Sequence, residues 1–224
     1  MEFKILNISS RISLEHIPGL WEENDILILI VNMNDYGTPD AGYLDNMEKE
    51  HLDRLQTGYF KKRFITSRMV LKCTLCVLLD ERSVLDISLY KDEYGRIHVR
   101  DHNELNICIS YTEDVFFLAI STIEVGIDVE KKRKLPFKNI PKYMQAEMSY
   151  DSECAADLQF LVKWTLKEAY CKFSNKSIFT HLNKVVDTND ISYSSYLING
   201  RYILTVVTDS DQYTINTNFF KKIY

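Results

Sequence analysis

The sequence lacks the features that would mark a membrane protein or a nucleic-acid-binding protein. No stretch approaches the roughly 18 consecutive apolar residues that a membrane-spanning helix requires. The formal net charge is −5, whereas a dedicated nucleic-acid-binding domain carries a clear positive excess. The 224 residues are 46% hydrophobic and 26% charged, which is typical of a folded globular protein rather than a disordered one. We therefore expect neither a membrane nor a nucleic acid among its partners.

Features of secreted proteins are also scarce. Residues 1–10 have no basic flank followed by a long apolar segment, so they predict a first strand rather than a signal peptide and favour a cytoplasmic location. The five cysteines are an odd number, which predicts free thiols rather than a disulfide framework. Cys73 and Cys76 form a CxxC within an apolar segment that has no second pair. We interpret them as small buried side chains rather than a redox or zinc site.

Positive charge is nevertheless concentrated at two places in this acidic chain. One basic cluster comprises residues 61–63 with Arg68, and the other comprises residues 131–134. Solvated surface is one interpretation of each cluster. A small polyphosphate ligand is the other, because it requires only a few converging cations and no global excess of positive charge.

The apolar pattern predicts an α+β fold. Short apolar runs bounded by turn residues predict strands, and apolar residues every three or four positions predict helices. The predicted strands are 26–31, 106–110, 115–120, 125–130, 202–208 and 213–220, with a strand-turn-strand unit at 90–100; the predicted helices are 45–55, 61–79 and 157–173. Strands precede a long helix in each half, so we predict two similar α/β halves, residues 1–104 and 105–224. Each half would be a small antiparallel sheet packed on a long helix, with a cleft between the halves.

Two acidic residues share one side of the predicted strand 125–130. Alternation along a strand directs Asp128 and Glu130 to the same face. Two adjacent carboxylates repel each other, which raises a pKa unless a cation is present. Ligation by oxygen alone, with few protein carboxylates, is typical of Mg²⁺. An acidic strand end without a metal is the alternative interpretation.

The predicted helix 157–173 contributes a third carboxylate and a lysine. Its apolar stripe must face the core and consists of Leu158, Val162, Leu166, Ala169 and Phe173. Lys163 and Lys167 lie on another side and are expected to be solvated. Glu168 and Lys172 are four residues apart, so a surface ion pair worth about 0.2–0.5 kcal/mol is one interpretation. However, Glu168 shares its face with Trp164, which does not suit a plain solvated surface, and a phosphate-binding metal site is the other interpretation.

These two segments resemble the signature of the 4′-phosphopantetheinyl transferases, in particular the larger pseudo-dimeric class typified by the surfactin-synthetase activator. That signature is an apolar-Gly-Ile/Val-Asp-apolar-Glu segment, followed later by a Phe, a Trp and Lys-Glu-Ala/Ser with a Lys four residues after the Glu. The chain has V-G-I-D-V-E at 125–130 and F-L-V-K-W-T-L-K-E-A-Y-C-K at 160–172. Weaker similarities cover residues 64–79, 94–96, 106–112 and 145–147, the last resembling a loop that carries a further acid.

The chain also departs from the family pattern at two positions. Tyr111 stands where the family has a histidine that contacts a phosphate of coenzyme A, and Ile97 stands where the family has a proline after Gly95-Arg96. A tyrosine can donate a hydrogen bond but carries no positive charge. These departures concern nucleotide binding more than the metal site.

The resemblance implies a cytoplasmic, monomeric enzyme whose two halves form a pseudo-dimer with the active site in the cleft between them. Such an enzyme transfers the 4′-phosphopantetheine arm of coenzyme A to a serine of an acyl, peptidyl or polyketide carrier protein and releases adenosine 3′,5′-bisphosphate. Residues 1–104 would contact the nucleotide of coenzyme A, and residues 105–224 would hold the metal and the catalytic helix. The open alternatives are another Mg²⁺-dependent phosphotransfer enzyme and a catalytically silent module that binds coenzyme A or a carrier protein.

The resemblance also implies a role for individual residues. Mg²⁺, or Mn²⁺ in its place, would be held by Asp128, Glu130 and Glu168, and the catalytic residues would be Glu168 and Lys172. Coenzyme A, the co-substrate, would be bound by Lys62, Arg68, Arg96, Ser110 and Tyr111. An acidic carrier protein would approach the basic residues 131–134, and apolar side chains between 137 and 148 would receive its helix.

Overall fold

The structure is a computed structural model that describes residues 4–37, 40–135, 153–177, 186–209, 212–221 and 223, the side chains of 153–155 excepted. The strands in these ranges are β1 (Lys4–Leu6), β2 (Arg11–Ile12), β3 (Ile26–Asn32), β4 (Leu89–Lys91), β5 (Ile97–Val99), β6 (Asn106–Thr112), β7 (Val115–Ser121), β8 (Val125–Lys131), β9 (Ser192–Ile198), β10 (Tyr202–Thr208) and β11 (Ile215–Phe220). The helices are α1 (Ile17–Glu22), α2 (Asn46–Arg54), α3 (Gly58–Leu78) and α4 (Glu153–Phe173). The predicted α+β class and the three predicted helices are confirmed.

The strands form two larger sheets and one hairpin. The first sheet has the order β2-β11-β3-β7-β6, the second has the order β1-β9-β10-β8, and β4 pairs with β5. Both sheets are mixed, because β11 runs parallel to β2 and β3, and β1 runs parallel to β9. The prediction of purely antiparallel sheets is therefore wrong. Parallel neighbours require a long connection. Most of the chain lies between β1 and its neighbour β9, and between β11 and its neighbours β2 and β3.

Each of the two larger sheets contains strands from both sides of the predicted boundary between residues 104 and 105. β1 belongs to the second sheet with β8, β9 and β10, whereas β6, β7 and β11 belong to the first sheet with β3. Neither sheet is thus built from one half of the chain alone. The assignment of nucleotide contacts to 1–104 and of the metal site to 105–224 stays a prediction.

The hydrophobic core lies between layers ordered as α3, first sheet, second sheet and α4. One face of the first sheet packs on α3, with Leu71 among the buried residues, and its other face packs on the second sheet, with Phe117 and Ile127 in contact. The outer face of the second sheet packs on Val162 and Ala169 of α4. Strands buried on both faces have continuous apolar runs, which explains why the run at 26–31 was recognisable.

Four of the five cysteines have side chains that the structure describes, and all four are free thiols, as predicted. Cys73 and Cys76 lie in α3, where the first is buried and the second is half-buried. Among the side chains that the structure describes, no second pair of thiols accompanies them, as a structural zinc site would require. None of the described helices is long and apolar enough to cross a lipid bilayer.

Candidate active site

A glycine allows α4 to lie unusually close to β8. A Cβ atom added to Gly126 would lie 2.5 Å from the backbone nitrogen of Phe173, and closer still to the carbonyl oxygen of Ala169. Real Cβ atoms do not approach backbone atoms so closely, so only glycine fits between the strand and the helix. The glycine of the 125–130 motif therefore has a packing reason. It brings the carboxyl-terminal turns of α4 against the acidic strand.

The apolar stripe of α4 packs on the core as predicted, with its end residues Leu158 and Phe173 half-buried, but the helix is covered on more than that side. Val162 and Ala169 are fully buried. Lys167, which the sequence predicted to be solvated, is only 3% exposed, so that prediction is wrong. Leu161 and Thr165 are also fully buried. A prediction from one apolar stripe underestimates how many side chains are buried when a helix contacts several elements.

Asp128 is the most buried carboxylate of the site, with 3% of its surface exposed. Its Oδ1 atom accepts a hydrogen bond from Ser110 Oγ at 2.7 Å and another from Lys172 Nζ at 2.8 Å. Its Oδ2 atom is buried, and no N–H or hydroxyl group in the described part of the chain donates to it; a hydrogen bond from the protonated carboxyl group of Glu168 to Asp128 is one of the causes that raise the pKa of Glu168. A buried carboxylate oxygen without a partner is costly, and a bound cation would satisfy it.

The acidic side chains of the site outnumber the cationic side chains that could neutralise them. Burial, followed by the negative charge of Asp128 and more weakly that of Glu130, raises the pKa of Glu168 to about 8. Burial is the largest single influence and would lower the pKa of Lys172, but the charge and hydrogen bond of Asp128, together with Cys108 and Glu168, outweigh it and raise that pKa. Lys172 remains protonated as a result, yet one ammonium group faces two buried carboxyl groups. Either a proton or a further cation must complete the charge balance.

Glu130 does not complete a metal site in this arrangement. Its carboxylate accepts a hydrogen bond from Arg133 Nη1. Among the described residues, no group of three or more His, Cys, Asp or Glu side chains is arranged to hold a metal ion. The structure thus brings together Asp128, Glu168 and Lys172. It leaves Glu130 at the edge of the site, bound to arginine.

A row of small side chains on β6 joins the two sheets beside Asp128. The backbone N–H groups of Ile127 and Val129 donate to Cys108 Sγ at 3.3 Å and to Ser110 Oγ at 3.1 Å. Two residues further along β8, the N–H group of Lys131 donates to Thr112 Oγ1 at 3.2 Å. β6 and β8 are the end strands of different sheets, so side chains here replace a backbone ladder. Ser110 is thereby fixed beneath Asp128.

A cavity of about 660 Å³ lies beside these residues. Its walls come from α3, the β4–β5 hairpin, β6 and the carboxyl-terminal end of α4, including Glu168. Five cationic side chains line it, namely Arg68, Lys91, Arg96, Lys172 and Lys176. The cavity is large enough for a nucleotide-sized ligand, and its lining favours an anionic one.

Arg68 supplies a buried charge to the cavity wall and is only 5% exposed. Its Nε atom lies 3.2 Å from Glu48 Oε1, and Lys72 Nζ lies 2.6 Å from the other oxygen of the same carboxylate. Burial lowers the pKa of Arg68, and the charge of Glu48 opposes this effect. The Nη1 atom is buried and has no hydrogen-bond partner in the ranges that the structure covers.

The comparison with known proteins agrees with this geometry. Residues 124–217 match the family model described as the 4′-phosphopantetheinyl transferase superfamily. The resemblance to the 4′-phosphopantetheinyl transferases is confirmed. One similar protein is the 4′-phosphopantetheinyl transferase gsp of Aneurinibacillus migulanus, which is 27% identical over 126 residues. That alignment covers 54% of this chain and 52% of the relative, so the match spans about half the length of that protein.

The segment matched to the transferase superfamily includes β8, α4, β9 and β10. It therefore contains Asp128, Glu168 and Lys172, whereas Arg68 and Arg96 lie outside it. The cavity draws on both regions. The cationic lining residues that lie outside the matched segment all belong to the first hundred residues of the chain.

Only some of the residues that the resemblance assigns to coenzyme A binding line the cavity. Arg68, Arg96 and Tyr111 line the cavity, whereas Lys62 is not among its lining residues. Ser110 contacts Asp128 instead of facing the cavity. The residues 137–148 expected to receive a carrier protein, and the further acid expected at 145–147, lie outside the described residues.

Tyr111 has an arginine neighbour that the sequence did not suggest. Its hydroxyl donates a hydrogen bond to Ser67 Oγ at 2.9 Å, and the guanidinium carbon of Arg63 lies 3.5 Å from the centre of its ring. A cation so close to a tyrosine ring is held by cation–π attraction. Positive charge is thus present beside the position where the family has a histidine. Only the three-dimensional packing of α3 on β6 reveals it.

Proposed function

We propose that the protein transfers the 4′-phosphopantetheine arm of coenzyme A to a serine of an acyl, peptidyl or polyketide carrier protein. The released product is adenosine 3′,5′-bisphosphate. One observation carries the proposal: a single cavity is lined in one wall by Arg68, whose buried Nη1 atom has no hydrogen-bond partner among the described residues, and in another by Lys172, beside the Asp128–Glu168 pair. Coenzyme A has a phosphate and a pyrophosphate at separate positions, which suits two cationic regions.

The nucleotide end of coenzyme A is assigned to the wall formed by α3. A buried arginine without enough partners is unfavourable, and a phosphate can accept a charge-assisted hydrogen bond from it. Arg68 and Lys91 both line this region, and the buried Nη1 atom of Arg68 has no hydrogen-bond partner among the described residues. Arg63 is held against Tyr111 and brings positive charge near this position, although it is not among the residues that line the cavity. Lys62 would act only through the surrounding potential.

The pyrophosphate end is assigned to Asp128 and Glu168. These oxygens fit Mg²⁺ or Mn²⁺ because Asp128 Oδ2 accepts no hydrogen bond from an N–H or hydroxyl group of the described residues and because the two carboxyl groups share a single ammonium group, that of Lys172. Glu130 would join them as a third ligand after exchanging its bond to Arg133. The metal ion would supply neutralisation of the pyrophosphate charge.

The reaction itself would be carried by Glu168 and Lys172. A carboxylate oxygen of Glu168 accepts the proton of the serine hydroxyl as the serine Oγ forms a bond to the phosphorus next to pantetheine. The bond from that phosphorus to the oxygen of the adenosine bisphosphate breaks, and the leaving group keeps the electron pair. Lys172 Nζ lies beside the reacting phosphoryl oxygens and offsets their charge. Asp128 and Ser110 hold Lys172 in place.

The fold supports a monomer in which two halves form a pseudo-dimer. The layers α3, first sheet, second sheet and α4 repeat a helix-and-sheet unit back to back. A carrier protein with acidic surface would approach residues 131–134. Two of these cations, Lys131 and Arg133, already pair with Glu113 and Glu130, so Lys132 and Lys134 are the better candidates. A cytoplasmic location is part of the same proposal.

The test is a mass measurement on a panel of purified apo carrier proteins incubated with the protein, coenzyme A and MgCl₂. Addition of the phosphopantetheine mass to a carrier, lost in EDTA, is the expected result. Transfer of a different phosphorus-containing group would instead identify another phosphotransfer enzyme. Binding of coenzyme A without modification of any carrier would identify a catalytically silent binding module. Either of these last results would refute the proposal.

A further inference from the structure

The carboxyl-terminal end of α4 is held by an arginine from a different part of the chain. The last carbonyl groups of any helix lack partners within the helix. At this end, Arg96 Nη2 donates hydrogen bonds to the carbonyl oxygens of Lys172 and Phe173, at 2.5 and 2.6 Å. A cation at this position also interacts favourably with the helix dipole. Arg96 therefore caps the helix that carries both proposed catalytic residues.

The same guanidinium group reaches the strand that carries Asp128. Arg96 Nη1 donates to Glu124 at 2.9 Å, and Glu124 directly precedes β8. The arginine side chain is only 14% exposed. One side chain thus links the β4–β5 hairpin, the end of α4 and the beginning of β8. These are the elements whose relative position sets the distance between Lys172 and Asp128.

Asp92 fixes the hairpin loop from which Arg96 extends. Its Oδ1 atom accepts hydrogen bonds from the backbone nitrogens of Tyr94 and Arg96, at 3.0 and 2.9 Å. Its Oδ2 atom lies 3.0 Å from His98 Nε2 and accepts a hydrogen bond from Asn175 Nδ2 at 2.7 Å. Asn175 follows α4 in a left-handed conformation with φ of 50°, which asparagine tolerates at helix ends. The loop and the helix end are thereby tied at two points.

These contacts occupy much of the binding capacity of Arg96. A guanidinium group has five N–H donors, and three of them are directed at Lys172, Phe173 and Glu124. A phosphate would have to share the remainder or displace protein acceptors. The sequence assigned Arg96 to coenzyme A binding, but its geometry favours a different role.

We infer that Arg96 is a positioning residue, which acts through the end of α4 to hold Lys172 and Glu168 against Asp128. This inference rests on the proposed function. It predicts that losing Arg96 disturbs the reacting end of the cavity more than it weakens binding of coenzyme A. Lys172, Asn175 and Lys176 line that end together with residues 93–97, so the same link also sets the shape of the wall.

The test compares Arg96→Ala, Arg96→Lys and the control Arg100→Ala, which changes an exposed arginine on the same hairpin. For Arg96→Ala we expect kcat to fall by about tenfold or more while KM for coenzyme A stays within about twofold. Arg96→Lys should restore part of kcat, because an ammonium group can meet one carbonyl but cannot bridge to Glu124. Arg100→Ala should match the wild type.

Hydrogen exchange at the end of α4 gives a second readout that does not depend on activity. The backbone nitrogens of Ser174 and Lys176 donate to the carbonyl oxygens of Tyr170 and Cys171, so fraying of this end exposes them. Exchange at these amides should accelerate in Arg96→Ala, and more weakly in Asn175→Gly, which removes the second tie and keeps a residue suited to the left-handed conformation.

The outcomes separate the two levels of the proposal. Unchanged exchange, or a raised KM with normal kcat, would overturn the positioning role and return Arg96 to substrate binding. Failure of the wild-type protein to modify any carrier would refute the proposed function, and the exchange experiment would still decide whether Arg96 holds the helix end.

Discussion

Lys172 Nζ lies 2.8 Å from Asp128 Oδ1, so an ion pair joins the last turn of α4 to β8. The same oxygen accepts a hydrogen bond from Ser110 of β6. Because β6 and β8 belong to different sheets, Asp128 lies where both sheets and the helix meet. Side chains of α4 can act on a ligand only if this junction keeps its geometry.

The first prediction concerns the glycine beneath the helix. Gly126→Ala would place a methyl group 2.5 Å from the backbone nitrogen of Phe173, so α4 must move away from β8. We expect the free energy of unfolding to fall by about 1–3 kcal/mol, as is typical of overpacking. The rate of carrier modification should fall by a larger fraction than the stability does. Urea unfolding and carrier modification measure the two effects. Gly19→Ala is the matched control, since no atom lies within 4 Å of its added Cβ; destabilisation of both variants alike would reject the close-packing explanation.

The second prediction concerns the ion network behind the cavity. Glu48→Gln would leave the buried cations Arg68 and Lys72 without their shared carboxylate. Breaking a buried ion pair on one side typically costs about 3–5 kcal/mol, so we expect a strong decrease in the free energy of unfolding. Glu50→Gln changes an exposed carboxylate on the same helix, paired with Arg54, and should have no measurable effect. Equal stability of the two variants would contradict the importance of the network.

Much of the fold and part of the site could be predicted from sequence because those parts depend on local pattern. The runs at 26–31 and 202–208 are buried strands with continuous apolar residues, and the 157–173 stripe has helical spacing. β9 was missed because Ser192, Ser194 and Ser195 interrupt its apolar pattern. The neighbours of β1 and β11 were unpredictable in a different sense, since strand order depends on contacts between distant segments.

The same distinction applies to the site residues. The placement of Asp128 follows from strand alternation, and that of Glu168 follows from the helix face. The capping role of Arg96 depends on how a hairpin meets the end of a helix eighty residues away in the chain, for which no local pattern exists. The contact of Arg63 with Tyr111 likewise arises only when α3 packs on β6.

A third prediction concerns stability at acidic pH. Burial alone would raise the pKa of Asp92, but hydrogen bonds from His98, Asn175 and two backbone N–H groups lower it to about 2. A carboxylate with a lowered pKa stabilises the fold above its ordinary pKa of 3.8, and that contribution is lost as pH falls toward 2. The difference in stability between the wild type and Asp92→Asn should therefore be largest above about pH 4 and shrink as pH falls from there toward 2. A difference independent of pH over this range would contradict the assignment.

A fourth prediction compares the contributions of Tyr111 and Arg63 to binding of coenzyme A. Tyr111 stands where the family has a histidine, and Arg63 lies against its ring. Tyr111→Phe removes the hydrogen bond to Ser67 but keeps the ring under Arg63. Arg63→Ala removes the charge itself. We expect KM for coenzyme A to rise several-fold in Arg63→Ala and to change little in Tyr111→Phe. The opposite order would mean that the tyrosine hydroxyl, and not the arginine, contacts the nucleotide.

The most direct test of the account is the mass of an apo carrier protein after incubation with coenzyme A, Mg²⁺ and either the wild-type protein or Glu168→Gln. Removing this buried carboxyl group relieves its repulsion with Asp128, so the variant should fold at least as stably as the wild type in the absence of metal. We predict that the wild type adds the phosphopantetheine mass to the carrier and that the folded variant adds none. Full modification of the carrier by the variant would contradict the assignment of Glu168 to the active site.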